Sequence, residues 1–155
     1  MNKKIKLSLL GTLIAGSALA VTLPIVSCSA SADVALTSTV ATDVDATATT
    51  AMTTFVAAAA DFAAQEAILA KGNKITSTDS VFAALAGAYS FAQTEDATVT
   101  HTGSDVIESF EVTTAVAVAT GTAIPTGTIL TVNLKSGYTA DKTLTITLAG
   151  LGDAK

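Results

Sequence analysis

Apolar and polar positions alternate in the C-terminal third of the chain. Leu130, Val132 and Leu134 are separated by Thr131 and Asn133, and Leu144, Ile146 and Leu148 by Thr145 and Thr147. Successive side chains on a strand point to opposite faces. The pattern therefore predicts strands over 128–134 and 143–148, in a sheet with one wet, threonine-covered face. Less regular stretches at 98–102, 106–112 and 114–120 complete five strand candidates. Lys135 to Asp141, between the two clearest strands, reads as a hairpin loop.

Before residue 97 the period changes. In MTTFVAAAADFAAQEAILA, residues 52–70, Phe55, Phe62 and Leu69 recur every seven positions, with Met52, Ala59 and Ile68 filling the same side. This predicts one helix with a core-facing stripe, stopped by Lys71-Gly72-Asn73. A second helix is expected from Thr78 or Asp79, with Val81, Phe82, Leu85 and Tyr89 on one side and Gly87 weakening it. Helices followed by antiparallel strands predict an α+β fold. One or two N-terminal helices would pack on a small antiparallel sheet, as a single domain over 51–155.

The first 28 residues have a different organisation. Lys3, Lys4 and Lys6 form a basic start, Leu7 to Ala20 an apolar run, and a short exit stretch ends at Cys28. This is the layout of an export signal. Ala18-Leu19-Ala20 fits ordinary signal cleavage, but a cut there leaves Val21 to Val26 as an exposed apolar tail. Ile25-Val26-Ser27-Cys28 resembles the bacterial lipobox, in which the thiol receives a diacylglyceryl group and cleavage between Ser27 and Cys28 leaves the cysteine first. A third reading is an uncleaved span from Leu7 to Val26, about 20 residues and long enough to cross a bilayer, although Pro24 and the glycines weaken it. We read residues 1–27 as a lipoprotein signal peptide and Cys28 as the lipidation site. Two acyl chains on one cysteine anchor durably without a basic patch, because each buried methylene contributes about 0.8 kcal/mol.

Charge fits that anchor. After Cys28 the chain holds five lysines against thirteen carboxylates, a net charge of −8, and no arginine. Such a surface excludes nucleic acid, whose phosphates need cations, and does not lie flat on an anionic membrane. A single cysteine permits no internal disulfide. Residues 28–50, beginning with the acylated cysteine and rich in Ser, Thr, Ala and Asp, read as a flexible tether that lifts the domain by about 25 Å.

The basic start, the apolar run, Ile25-Val26-Ser27-Cys28, a Thr/Ala/Val-rich mature part, and lysine without arginine or tryptophan make the chain resemble the spiralin group of mollicute surface lipoproteins. A helical segment before valine- and threonine-rich strands, including TGTILTVNLKSGY, adds to the likeness. The resemblance implies an abundant acyl-anchored protein on the outer face of the plasma membrane. Its partners would be the membrane itself and a host surface glycoprotein or glycan. It assigns no adhesive residue.

Candidate chemistry is sparse, and no catalysis and no cofactor are expected. His101 is the lone histidine, with Glu95, Asp96, Asp105, Glu108 and Glu111 as sequence neighbours. A solvated strand end explains it better than a carboxylate–histidine site. Asp43-Val44-Asp45 lacks the glycine and glutamate of a calcium loop. Gly103, Gly121 and Gly127 read as turn residues. Two functional classes remain: a lipid-anchored coat or adhesion protein, and a solute-binding lipoprotein serving a transporter. The second requires a pocket above about 300 Å³ with convergent polar groups.

Overall fold

A computed structural model describes residues 32–155. The proposed signal peptide, Ser27 and Cys28 lie outside the described residues.

The chain first becomes regular at Val34. Strand β1 (Val34–Val40) lies inside a four-stranded sheet ordered β4-β3-β1-β7. It pairs antiparallel with β3 (Tyr89–Gln93), from Leu36 opposite Gln93 to Val40 opposite Tyr89. It pairs parallel with β7 (Tyr138–Ala140), from Val34 opposite Tyr138 to Leu36 opposite Ala140. Strand β4 (Thr100–Thr102) adds to the other side of β3. The expectation of a tether running to residue 50 is therefore corrected: from Val34 onward this stretch is built into the fold. The composition of β1 resembles a linker because Leu36 is its one fully buried side chain. Backbone ladders on both sides hold the strand, and ladder hydrogen bonds need no particular side chains.

Helix α1 (Val44–Ala57) follows, burying Ala48, Met52 and Val56 at four-residue spacing. Threonines are poor helix formers, yet Thr50, Thr53 and Thr54 donate their hydroxyls to the carbonyls of Ala46, Thr49 and Thr50, one turn earlier. The single helix expected over 52–70 is in fact two. It breaks after Ala57, and α2 (Phe62–Leu69) restarts where the extended Asp61 caps the Ala64 N–H at 2.9 Å. Four consecutive alanines have high propensity but no side chain to anchor a continuous rod. The cap at Asp61 decides the break. Phe55 and Phe62 are consequently half-buried, while Leu69 is core. The stop is where expected: Gly72 takes φ +89°, a conformation suited to glycine.

The second sheet is antiparallel throughout, ordered β2-β5-β6-β8, with β2 Lys74–Thr76, β5 Ile107–Thr114, β6 Ile129–Leu134 and β8 Thr145–Thr147. The alternation holds: Leu130, Val132, Leu144, Ile146 and Leu148 are buried, and Thr145 and Thr147 are exposed. Strands β6 and β8 pair, with Leu130 opposite Ile146. The connection between them is more than a loop, because it carries β7 across to the first sheet. No strand forms over 115–120; Val116 and Val118 pack on the core without a ladder.

Helix α3 (Phe82–Ala86) is short, and Tyr89 belongs to β3 rather than to the helix. Helix α4 (Gly103–Val106) is a single turn closed by a capping box, in which the Thr102 hydroxyl and N–H both donate to Asp105 Oδ2. Gly103 is here for contact, not for a turn: a Cβ on it would sit 2.0 Å from the Ala86 carbonyl oxygen.

The result is α+β, with two sheets where one was expected. They share a core through aromatic contacts. Phe110 of β5 meets Phe82 edge-on at 5.7 Å and Tyr89 at 6.5 Å, and Tyr89 stacks on Phe91 at 6.1 Å. Gln65 is buried, and both polar atoms of its amide are hydrogen-bonded. Its Nε2 donates to the Val56 carbonyl at 3.1 Å, and its Oε1 accepts from the Lys155 N–H at 2.8 Å, tying α1 to the chain end.

Candidate functional site

The residues singled out in the sequence do not converge. His101 lies on the edge strand β4, half-buried, opposite Phe91. Its Nε2 is 3.3 Å from the Gln93 amide nitrogen, and its ring meets Tyr138 edge-on at 5.5 Å. Strands β4 and β7 are the two outer strands of the first sheet, so this ring contact shows strong curling of that sheet. Tyr138 was not legible as a partner of His101 because β7 was hidden in an expected loop, and Gln93 was not because no strand was expected over 89–93.

Three of the five acidic neighbours of His101 make their hydrogen bonds elsewhere. Asp96 accepts from the hydroxyl and N–H of Thr98, and these bonds hold its carboxyl below the usual range. Asp105 is held low in the same way by Thr102, with smaller contributions from His101 and Lys135. Glu111 faces Lys74 at 3.8 Å across the β2–β5 pair and accepts from Asn133 at 3.4 Å. Asp43 stands at the start of α1 without a side-chain cap, and Asp45 Oδ1 accepts from the Thr147 N–H at 3.2 Å. Thr49 likewise receives the Ala149 N–H at 3.0 Å, so α1 covers the outer edge of β8. Burial, with Asp45 adding to it, pushes the Tyr89 phenol up to about 12.

Among the described residues, no three His, Cys, Asp or Glu side chains group to hold a metal. No helix there is long and apolar enough to cross a membrane.

Two depressions mark the surface. One, of ≈ 310 Å³, lies between α2 and the 115–118 segment, lined by Glu66, Leu69 and the valines Val116 and Val118. The other, of ≈ 530 Å³, is an open groove beside β6 and β7. Its polar lining includes Thr131, Asn133, Tyr138 and Lys142. Sequence alternation placed Thr131 and Asn133 on the wet face. The contribution of Tyr138 and Lys142 depends on the crossing of β7, which carries no local signal.

Compared with known proteins, the chain matches no family model, no curated protein and no solved structure.

Proposed function

We propose that the protein is a lipid-anchored surface protein, held by a diacylglyceryl group on Cys28 on the outer face of the plasma membrane. Its small α+β domain serves a coat or adhesive role without catalysis, in the manner of spiralin-like lipoproteins. The observation that carries this reading is Ile25-Val26-Ser27-Cys28 at the end of a basic-then-apolar leader. The −8 charge of the remainder supports a covalent anchor over electrostatic adsorption. A packed core beneath a threonine-bearing sheet face suits a module that presents a surface. A host glycoprotein or glycan is the proposed adhesive partner.

The groove beside β6 and β7 favours a second reading, a solute-binding lipoprotein. Its ≈ 530 Å³ falls in the size range of small-molecule sites, and it offers Asn133, Thr131 and Lys142 to a polar ligand. Its openness to solvent weighs against tight capture, since such sites bury most of their ligand.

The anchor is tested by cell fractionation. Wild-type protein is expected in the membrane and detergent-rich fractions, and Cys28→Ser in the aqueous fraction or retained as precursor. Identical partitioning of both at the mature mass, with no precursor accumulating in Cys28→Ser, would defeat the proposal. A glycan array with residues 32–155 separates the roles, as binding above a scrambled-sequence control supports adhesion and its absence removes it.

A further inference from the structure

The corrected start of the fold changes how the domain meets the membrane. Five residues, 29–33, separate Cys28 from Val34. Whatever path they take, six residue steps at about 3.3–3.6 Å reach at most ~20 Å. Part of that length is spent inside the headgroup layer, which is about 5–7 Å deep in each leaflet.

Strand β1 fixes which end of the domain is tied down. Its first residues are flanked by two exposed loops. The Val34 N–H donates to Gly137 at 2.8 Å, joining the 135–137 loop, and the Thr94 N–H donates to Ala35 at 2.9 Å, joining the 94–99 loop. The far end lies at Val40, where the Ala41 N–H donates to Ala88. Seven residues of strand put these ends about 20 Å apart. With the Val40 end downward, Val34 would stand at least a strand length above the headgroups, and the leash would also have to descend beside the domain. The available length does not reach.

Resting on the proposed anchoring of Cys28, we infer that the loops at 94–99 and 135–137 form a membrane-facing surface, held by the short leash against the bilayer that carries the anchor. The partner is the zwitterionic headgroup layer. The 94–99 loop bears Glu95 and Asp96 and an exposed Val99, and the Lys135 ammonium is already taken by the carbonyls of Ser104 and Asp105. Contact is therefore enforced by tether length, and charge works against it on anionic lipid.

The test uses the acylated full chain in phosphatidylcholine vesicles bearing a headgroup-attached quencher. Cys28 is blocked by its lipid, so one added cysteine carries the only dye, at Ala97→Cys or Ser136→Cys beside the start of β1, or at Thr42→Cys beyond its far end. The two near positions are expected to be quenched at least threefold more than the far one. Inserting twenty Gly/Ser residues after Ser31 should reduce that ratio towards one. Equal quenching at both ends of the unextended protein, or a ratio indifferent to the insertion, would overturn the orientation while leaving the anchor intact. Failure of the acylated preparation to float with the vesicles would instead overturn the anchor, and the orientation with it.

Discussion

At Gly103 the constraint is volume. The carbonyl of Ala86 occupies the space a methyl group would need, so α4 and α3 approach backbone to backbone. Gly103→Ala is expected to destabilise the domain by about 1–3 kcal/mol, as overpacked sites do. Urea denaturation checks this, and a midpoint equal to wild type would remove the close approach. Tyr89 makes a second prediction. Burial raises its phenol from 10.0 to about 12, so between those values the unfolded chain gives up a proton that the folded chain keeps. That contribution is complete below pH 10 and is lost as pH rises to about 12. Thermal scans across this range should show Tm falling, and Tyr89→Phe should flatten the part of the fall due to this residue. A variant that tracks wild type throughout would contradict the assignment.

At the scale of elements, the clearest legible signals rest on residue identity. Strands β6 and β8 announce themselves because Leu130, Val132, Leu144, Ile146 and Leu148 must all be buried on one face. The stop after Leu69 announces itself through Gly72. Strand β1 does not, since it contributes little more than Leu36 and is specified by its neighbours' backbones. The same holds for β7, three residues inside what reads as a loop. The start of α1 is obscured by threonines whose back-bonded hydroxyls leave no sequence mark. The split at Asp61 leaves a single capping residue as its mark, against a Phe55, Phe62 and Leu69 spacing that favours one helix. At the candidate site, His101 was legible as a strand-end residue, whereas its partner Gln93 depends on the local β3–β4 pairing and Tyr138 on the long-range placement of β7. These differences make a sharp prediction. A fragment starting at Asp33 should fold cooperatively, whereas one starting at Ala51 loses the inner strand of the first sheet and half of α1. It should show no cooperative thermal transition by circular dichroism. A folded fragment from Ala51 would restore the tether reading.

For the molecule as a whole, the proposed anchor and the fold impose opposite demands. After Cys28, five lysines against thirteen carboxylates give a surface that anionic lipid repels, while only five residues separate Cys28 from the start of β1. The covalent lipid proposed at Cys28 would resolve the conflict, since attachment would then need no surface complementarity. If Cys28 is anchored as proposed, the same shortness turns the end bearing Val40 and the neighbouring α3 outward. The chemistry of Cys28 carries all of this. Intact mass of the protein isolated from its own membranes measures it directly. A species beginning at Cys28, without residues 1–27 and heavier by a diacylglyceryl group, is the result this account predicts. An unmodified chain starting at Val21, or one retaining Met1 to Ser27, would contradict it.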